Sequence, residues 1–202
     1  MRLVLATRNP HKLRELGPLL APHELEPLPE SVQLPPEAGA TFAENALAKA
    51  RTAAAATGSP AVADDSGIVA AALGGAPGVR SARYAGEDAT DERNLAKLLA
   101  AVPPGGDTRV AYVCALALVW PDGAEQIVEG RCEGNLSHAP RGTGGFGYDP
   151  AFVPLEDESA RTMAQLAPGE KDAISHRGRA ARALAERIAQ AGRSAPHASA
   201  TA

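Results

Sequence analysis

Aromatic residues are nearly missing from this chain of 202 residues: three phenylalanines, three tyrosines and one tryptophan make up 3% of it. A core of large stacked rings is thereby excluded, and Leu, Val, Ile and an abundance of Ala must fill the interior. Cysteine is as scarce. Cys114 and Cys132 give no disulfide framework and no finger-like metal spacing, and read as small buried hydrophobes of a reducing compartment. An excess of positive charge is lacking too. The net charge of −4 removes the basic field that draws a protein to nucleic acid or anionic membrane. No apolar run approaches the ~20 residues of a membrane span, and the first six residues meet polar Thr7-Arg8-Asn9 too soon for a signal peptide. The expectation is a cytoplasmic protein with no membrane and no nucleic-acid partner.

What the chain does contain is alternation of strand-like and helix-like segments. Leu3-Val4-Leu5-Ala6 reads as a short buried strand, and Asn9-Pro10 as a helix cap followed by proline at the first helical position. Leu13, Leu16 and Leu20 give that helix a face, which Gly17-Pro18 should break or kink. Residues 22–40, rich in proline and acid, read as loop. Residues 41–56 form an alanine-rich helix whose Thr41 and Glu44 have capping-box spacing. A second capped helix is expected over 90–101 and a last one over 175–191, with Ile174, Leu184 and Ile188 on its buried side. Residues 109–120 and 125–133 flank Pro121-Asp122-Gly123, a strong hairpin signal. Together these predict an α/β fold with a mixed sheet, in one domain over residues 1–191, followed by a disordered tail over 192–202.

The most informative stretch is Ala63-Asp64-Asp65-Ser66-Gly67, just after apolar Pro60-Ala61-Val62. It reads as the end of a buried strand turning out two carboxylates, which face opposite sides and need a cation or a hydrogen-bond network to offset them. Other segments can join it. The Thr7-Arg8-Asn9-Pro10-His11-Lys12 loop runs into a helix N-terminus, where free N–H groups favour an anion and Lys12 adds a point charge suited to phosphate. Glu44 either completes the capping box or, with Asp64 or Asp65, ligates a hard cation such as magnesium. Phe146-Gly147-Tyr148-Asp149, in a glycine-rich stretch, offers a ring to stack on a base and polar groups to read its edge. Lys171 and Ser175-His176-Arg177 form a further cationic cluster at a helix start. The set describes a pocket for magnesium, several phosphates and a base.

In this order the motifs resemble the Ham1/RdgB family of inosine/xanthosine triphosphate pyrophosphatases. They are the residue 7–12 loop, Thr41-Phe42-Ala43-Glu44-Asn45-Ala46, the acidic stretch at 63–67, Pro77-Gly78-Val79-Arg80-Ser81-Ala82-Arg83-Tyr84, Gly144-Gly145-Phe146-Gly147-Tyr148-Asp149-Pro150 and Ile174-Ser175-His176-Arg177. The resemblance implies an elongated mixed sheet with flanking helices, two lobes around a central nucleotide cleft, and a homodimer. It implies hydrolysis of ITP, dITP and XTP to the monophosphate and pyrophosphate. By the same resemblance Thr7, Arg8, Asn9, Pro10, His11 and Lys12 bind the triphosphate. Glu44 and Asp65 hold Mg²⁺, with Asp65 also the proton acceptor. Ser66, Phe146, Gly147, Tyr148, Asp149, Lys171, His176 and Arg177 line the nucleotide site. The chain departs from the pattern at Asp172, where asparagine is frequent, and at Arg8 and His11, where many relatives carry smaller residues. The alternatives to weigh are a phosphatase releasing orthophosphate and a nucleotide-binding protein without catalysis.

Overall fold

Six strands form one sheet in the order β2-β1-β3-β4-β5-β6, in a computed structural model that describes residues 1–194, the last three in backbone only. The expected tail lies outside the described residues from position 195 on, and residues 192–194 belong to the last helix. The first strand, β1 (Arg2–Leu5), is parallel to β2 (Glu24–Pro27) and to β3 (Ala61–Ala70). From β3 onward every pairing is antiparallel, through β4 (Arg109–Val119), β5 (Glu125–Leu136) and β6 (Phe152–Pro154). The mixed sheet is therefore present as expected. β2 was not expected, because its alternating Glu24 and Glu26 and terminal Pro27 resemble loop. Those same residues suit an edge strand, where charge and proline discourage further pairing.

Local chemistry explains the helices. Asn9 caps α1 (Pro10–Leu19) by accepting the His11 N–H at 2.9 Å. Gly17-Pro18 does not break it, since Leu16 and Leu20 on either side are wholly buried and anchor the last turn against the sheet. Thr41 accepts the Glu44 N–H at 3.1 Å to start α2 (Phe42–Thr57), and Gly58 ends it at a φ of 65°. Thr90 caps α3 (Asp91–Ala101). Two further helices, α4 (Pro168–Ile174) and α5 (His176–Ser194), close the fold. Among the described residues no helix is long and apolar enough to cross a membrane.

β3 differs most from expectation and matters most. The strand does not end at the acidic dipeptide; it runs straight through it, because β4 pairs with all ten of its residues, including Asp64 with Leu116 and Asp65 with Ala115. An uninterrupted ladder outweighs the weak strand propensity of Asp, Ser and Gly. On one face Val62 packs under α1 and α5, whereas Ile68 and Ala70 pack in a second core beside α3 and β6. Asp64 and Ser66 fall between them, at the seam. On the other face Ala61 and Ala63 pack under α2, followed by Asp65 and Gly67. The polar middle of β3, where these cores meet, floors a crevice.

Both cysteines are buried, and burial pushes their thiols up to about 12, in keeping with a packing role. Gly130 on β5 shows how α5 reaches the site. A Cβ there would lie 2.1 Å from the His176 carbonyl oxygen and 2.4 Å from the Ala180 nitrogen. Only glycine lets the first turn of α5 touch the sheet, and that turn carries His176 and Arg177 into the crevice.

Candidate active site

The crevice is a cavity of about 620 Å³. Its lining includes residues 7–12, Asp65, Ser66, Phe146, Gly147, Tyr148, Asp149, Lys171, His176 and Arg177, gathered from both ends of the chain. Of the carboxylates singled out in the sequence, Glu44 and Asp64 do not line it. Glu44 is exposed at the first turn of α2, where its Oε2 accepts the Ala40 N–H at 2.7 Å. The cap thus reaches one residue before Thr41. The acid brought beside Asp65 is instead Glu37, which lines the cavity and pairs with Lys49 at 2.6 Å and with Arg83 at 3.5 Å.

The adjacent aspartates have opposite environments. Asp64 is fully buried and does not line the cavity. Lys12 Nζ lies 3.0 Å from its Oδ1, at an angle that makes an ion pair more than an aligned hydrogen bond, and Arg177 lies 3.4 Å from its Oδ2. Ser66 Oγ donates to Oδ2 at 3.1 Å. Burial by itself would raise the Asp64 pKa, but Lys12, Arg177 and Lys49 together hold it far below the usual carboxylate range. Asp65 shows the reverse. Burial raises its pKa, Glu37 adds to the rise, and Lys49 and the 2.8 Å hydrogen bond from Asn45 only partly oppose it. Asp64 is therefore a fixed counter-ion for two cations, and Asp65 is the carboxylate of the pair that takes up a proton more readily. Their spacing in sequence left that assignment open.

Lys49 was missed. It is buried, donates to Glu37 and to the Asp64 carbonyl at 2.7 Å, and lies 3.9 Å from Asp65. Burial would lower its pKa, yet Asp64, Glu37 and Asp65 raise it, so it stays charged. A signal existed: Asn45 and Lys49, four apart, fall within the Phe42, Ala46, Ala50, Ala53 stripe that α2 buries. Nothing comparable marks Glu37, which lies in an irregular segment. Glu15 on α1 was missed as well. It joins Lys171, at 2.9 Å, to Arg177.

The aromatic platform has a cationic rim. Lys171 Nζ lies 5.5 Å and the Arg177 guanidinium 5.7 Å from the Phe146 ring centre, and His11 lies 5.0 Å from it. Asp149 organises this corner by accepting from Lys171 at 2.9 Å, from the Phe146 N–H at 3.0 Å and from the Tyr112 hydroxyl at 3.0 Å. The Gly147 N–H donates to Asp91 at 2.7 Å, and the Tyr148 hydroxyl to the Ser81 carbonyl at 2.7 Å. Gly67 keeps that turn close, since a Cβ there would come within 2.3 Å of Ser81 Oγ.

His176 corrects one expectation. It is not a cation: burial, with Arg177 and Lys171 nearby, drives its pKa well below 6.5, and it stacks on Tyr112 at 4.7 Å. Below pH 6.5 the unfolded chain binds this proton and the folded one does not, so acid destabilises the fold through this residue. Urea unfolding should show stability falling from pH 7.5 to pH 5.5, and His176→Phe should flatten that slope. An unchanged slope would mean that His176 protonates freely in the native state.

Comparison with known proteins identifies the family. The family model described as the Ham1 family matches residues 3–187. A dITP/XTP pyrophosphatase of Streptomyces coelicolor is 51% identical over 191 residues, 91% of this chain and 94% of that protein. One from Frankia alni is 54% identical over 198 residues, 92% and 96% of the two chains. The solved structure of a Ham1 protein from Coxiella burnetii superposes with a TM-score of 0.83 at 44% identity, covering 94% of this chain and 99% of that one. With a family match over residues 3–187, a shared fold and this likeness over nine-tenths of its length, the chain belongs to the Ham1 family.

Proposed function

We propose that this chain hydrolyses non-standard purine nucleoside triphosphates, dITP, ITP and XTP, to the monophosphate and pyrophosphate, and so removes them from the nucleotide pool. The observation that carries the reading is the convergence of Lys12, Lys49, Lys171 and Arg177 on one crevice with the raised-pKa carboxylate of Asp65. Four cations there match a polyphosphate, and the names of the relatives at about half identity match the product.

Magnesium fits the donor set. Asp65 and Glu37 are hard oxygen donors at the cavity wall, and Lys49 already sits between them as a cation. Among the described residues no cluster of three or more acidic, histidine or cysteine side chains could cage a metal alone. That suits an ion that takes most of its shell from water and phosphate. Asp65 and Glu37 would hold it, with Glu44 left to its cap, and when bound it supplies charge neutralisation and a more acidic water. The protein's own groups do the rest. The loop at 7–12 and Lys12 seat the phosphates. Asp65 accepts the proton of the water that attacks the α-phosphorus, and Lys12, Lys171 and Arg177 offset charge on departing pyrophosphate.

Base choice falls to the platform. The base stacks on Phe146, and a donor must meet the 6-keto oxygen. The Phe146 and Gly147 N–H groups already donate to Asp149 and Asp91. Neutral His176, on the cavity wall, is the better donor. An adenine amino group opposite a donor leaves both unpaired. A turnover panel of dITP, ITP, XTP, GTP and ATP with magnesium should release pyrophosphate, with ATP on the order of 100-fold or more behind dITP. Orthophosphate as product, or ATP as best substrate, would overturn the reading. A homodimer belongs to the same proposal on the family resemblance alone; sedimentation equilibrium gives the stoichiometry.

A further inference from the structure

Arg8 stands in the loop that seats the phosphates, yet its guanidinium is taken up by backbone oxygens. Nη1 donates to the Leu28 carbonyl at 2.7 Å, and Nη2 to the carbonyls of Pro29 at 2.7 Å and Val32 at 2.9 Å. An arginine carries about five N–H donors in a fixed fork, and three are engaged here. Residues 28–32 belong to no helix or strand, so their carbonyls need partners from outside the backbone ladders. Further along the same segment Leu34 and Glu37 form part of the cavity wall, and Arg83 holds the Glu37 carbonyl at 2.8 Å.

We propose that Arg8 is a positioning residue that straps the 28–37 segment, and with it Glu37, across the cavity, and that its side chain is not a ligand of the triphosphate. To reach a phosphate the fork would have to abandon carbonyls on both of its arms. The inference rests on the functional reading above and adds a role for a residue which the family resemblance had placed among the phosphate ligands.

The test compares Arg8→Ala, Arg8→Lys, Glu37→Gln and the Arg8→Ala/Glu37→Gln double variant. Amide hydrogen exchange over 28–37 is read in nucleotide-free protein, alongside kcat and KM for dITP with magnesium and inhibition by inorganic tripolyphosphate. In Arg8→Ala, exchange at the Val32 amide should quicken about tenfold, and kcat should fall about tenfold while tripolyphosphate inhibition shifts by less than ~3-fold. Lysine should not rescue, because a point ammonium cannot bridge both arms. Acting through Glu37, the loss should add nothing to that of Glu37→Gln. Unchanged exchange, additive losses, or inhibition weakened about tenfold and restored by lysine would each overturn the strap. If wild-type protein releases no pyrophosphate from dITP, the functional reading fails, while the exchange measurement still decides the strap.

Discussion

Replacing Asp65 with asparagine should lower kcat for dITP by about 100-fold to 10,000-fold, the range of a positioned general base. The amide keeps the shape of the carboxylate and can keep company with Asn45 and Lys49, which now bind Asp65 at 2.8 and 3.9 Å. Nucleotide binding, carried by Lys12, Lys171, Arg177 and the Phe146 ring, should change little, so the loss should fall on kcat. Burial has already raised the Asp65 pKa above 3.8. A base works only when deprotonated, so wild-type kcat should decline on the acid side as pH drops through that raised value. Asparagine should remove this limb along with the rate. Near-normal turnover in the variant, or an acid limb that persists in it, would take Asp65 out of the proton-accepting role.

Its neighbour should show its effect in stability. Asp64→Asn leaves Lys12 and Arg177 facing a neutral group at the buried end of their ion pairs. Removing one member of such a buried set costs about 3–5 kcal/mol, which for a chain of this size lowers Tm by roughly 6–20 °C. The pH dependence has a definite sign. The folded pKa is far below the unfolded value of 3.8, so the stabilisation is complete above pH 3.8 and fades as pH falls towards the folded pKa. Calorimetry of wild type should show this added acid sensitivity, and the variant should lack its share of it. A Tm within 1 to 2 °C of wild type would show that Asp64 is not the anchor of these cations.

The acidic stretch shows how far local sequence could go. Alternation along a strand places Asp64 and Asp65 on opposite faces whatever surrounds them, and that much was legible. Their division of labour was not. It depends on Lys12 and Arg177, 52 and 113 residues away, meeting one face while Asn45 and Lys49 of α2 meet the other. Glu44 shows a motif with two uses: Thr41 caps the helix as the spacing suggested, while the Glu44 carboxylate accepts from the Ala40 N–H in place of Thr41 and does not line the cavity. Gly17-Pro18 looked like a helix end because propensity is local, whereas the burial of Leu16 and Leu20 that holds the turn is not.

The sequence by itself determined the periodicities, the capped helix starts at Asn9, Thr41 and Thr90, the β4–β5 hairpin, and which residue types could serve phosphate, metal and base. These follow from neighbours within a few positions of one another. Only the tertiary structure decided which aspartate keeps its charge against burial and which has its pKa raised, that Glu37 and Lys49 enter the crevice, that His176 is neutral, and that Arg8 grips backbone. Each of these depends on the field and the partners created when distant segments are buried together. Electrostatic energy inside a protein depends on distance and on exclusion of water, and order along the chain specifies neither directly.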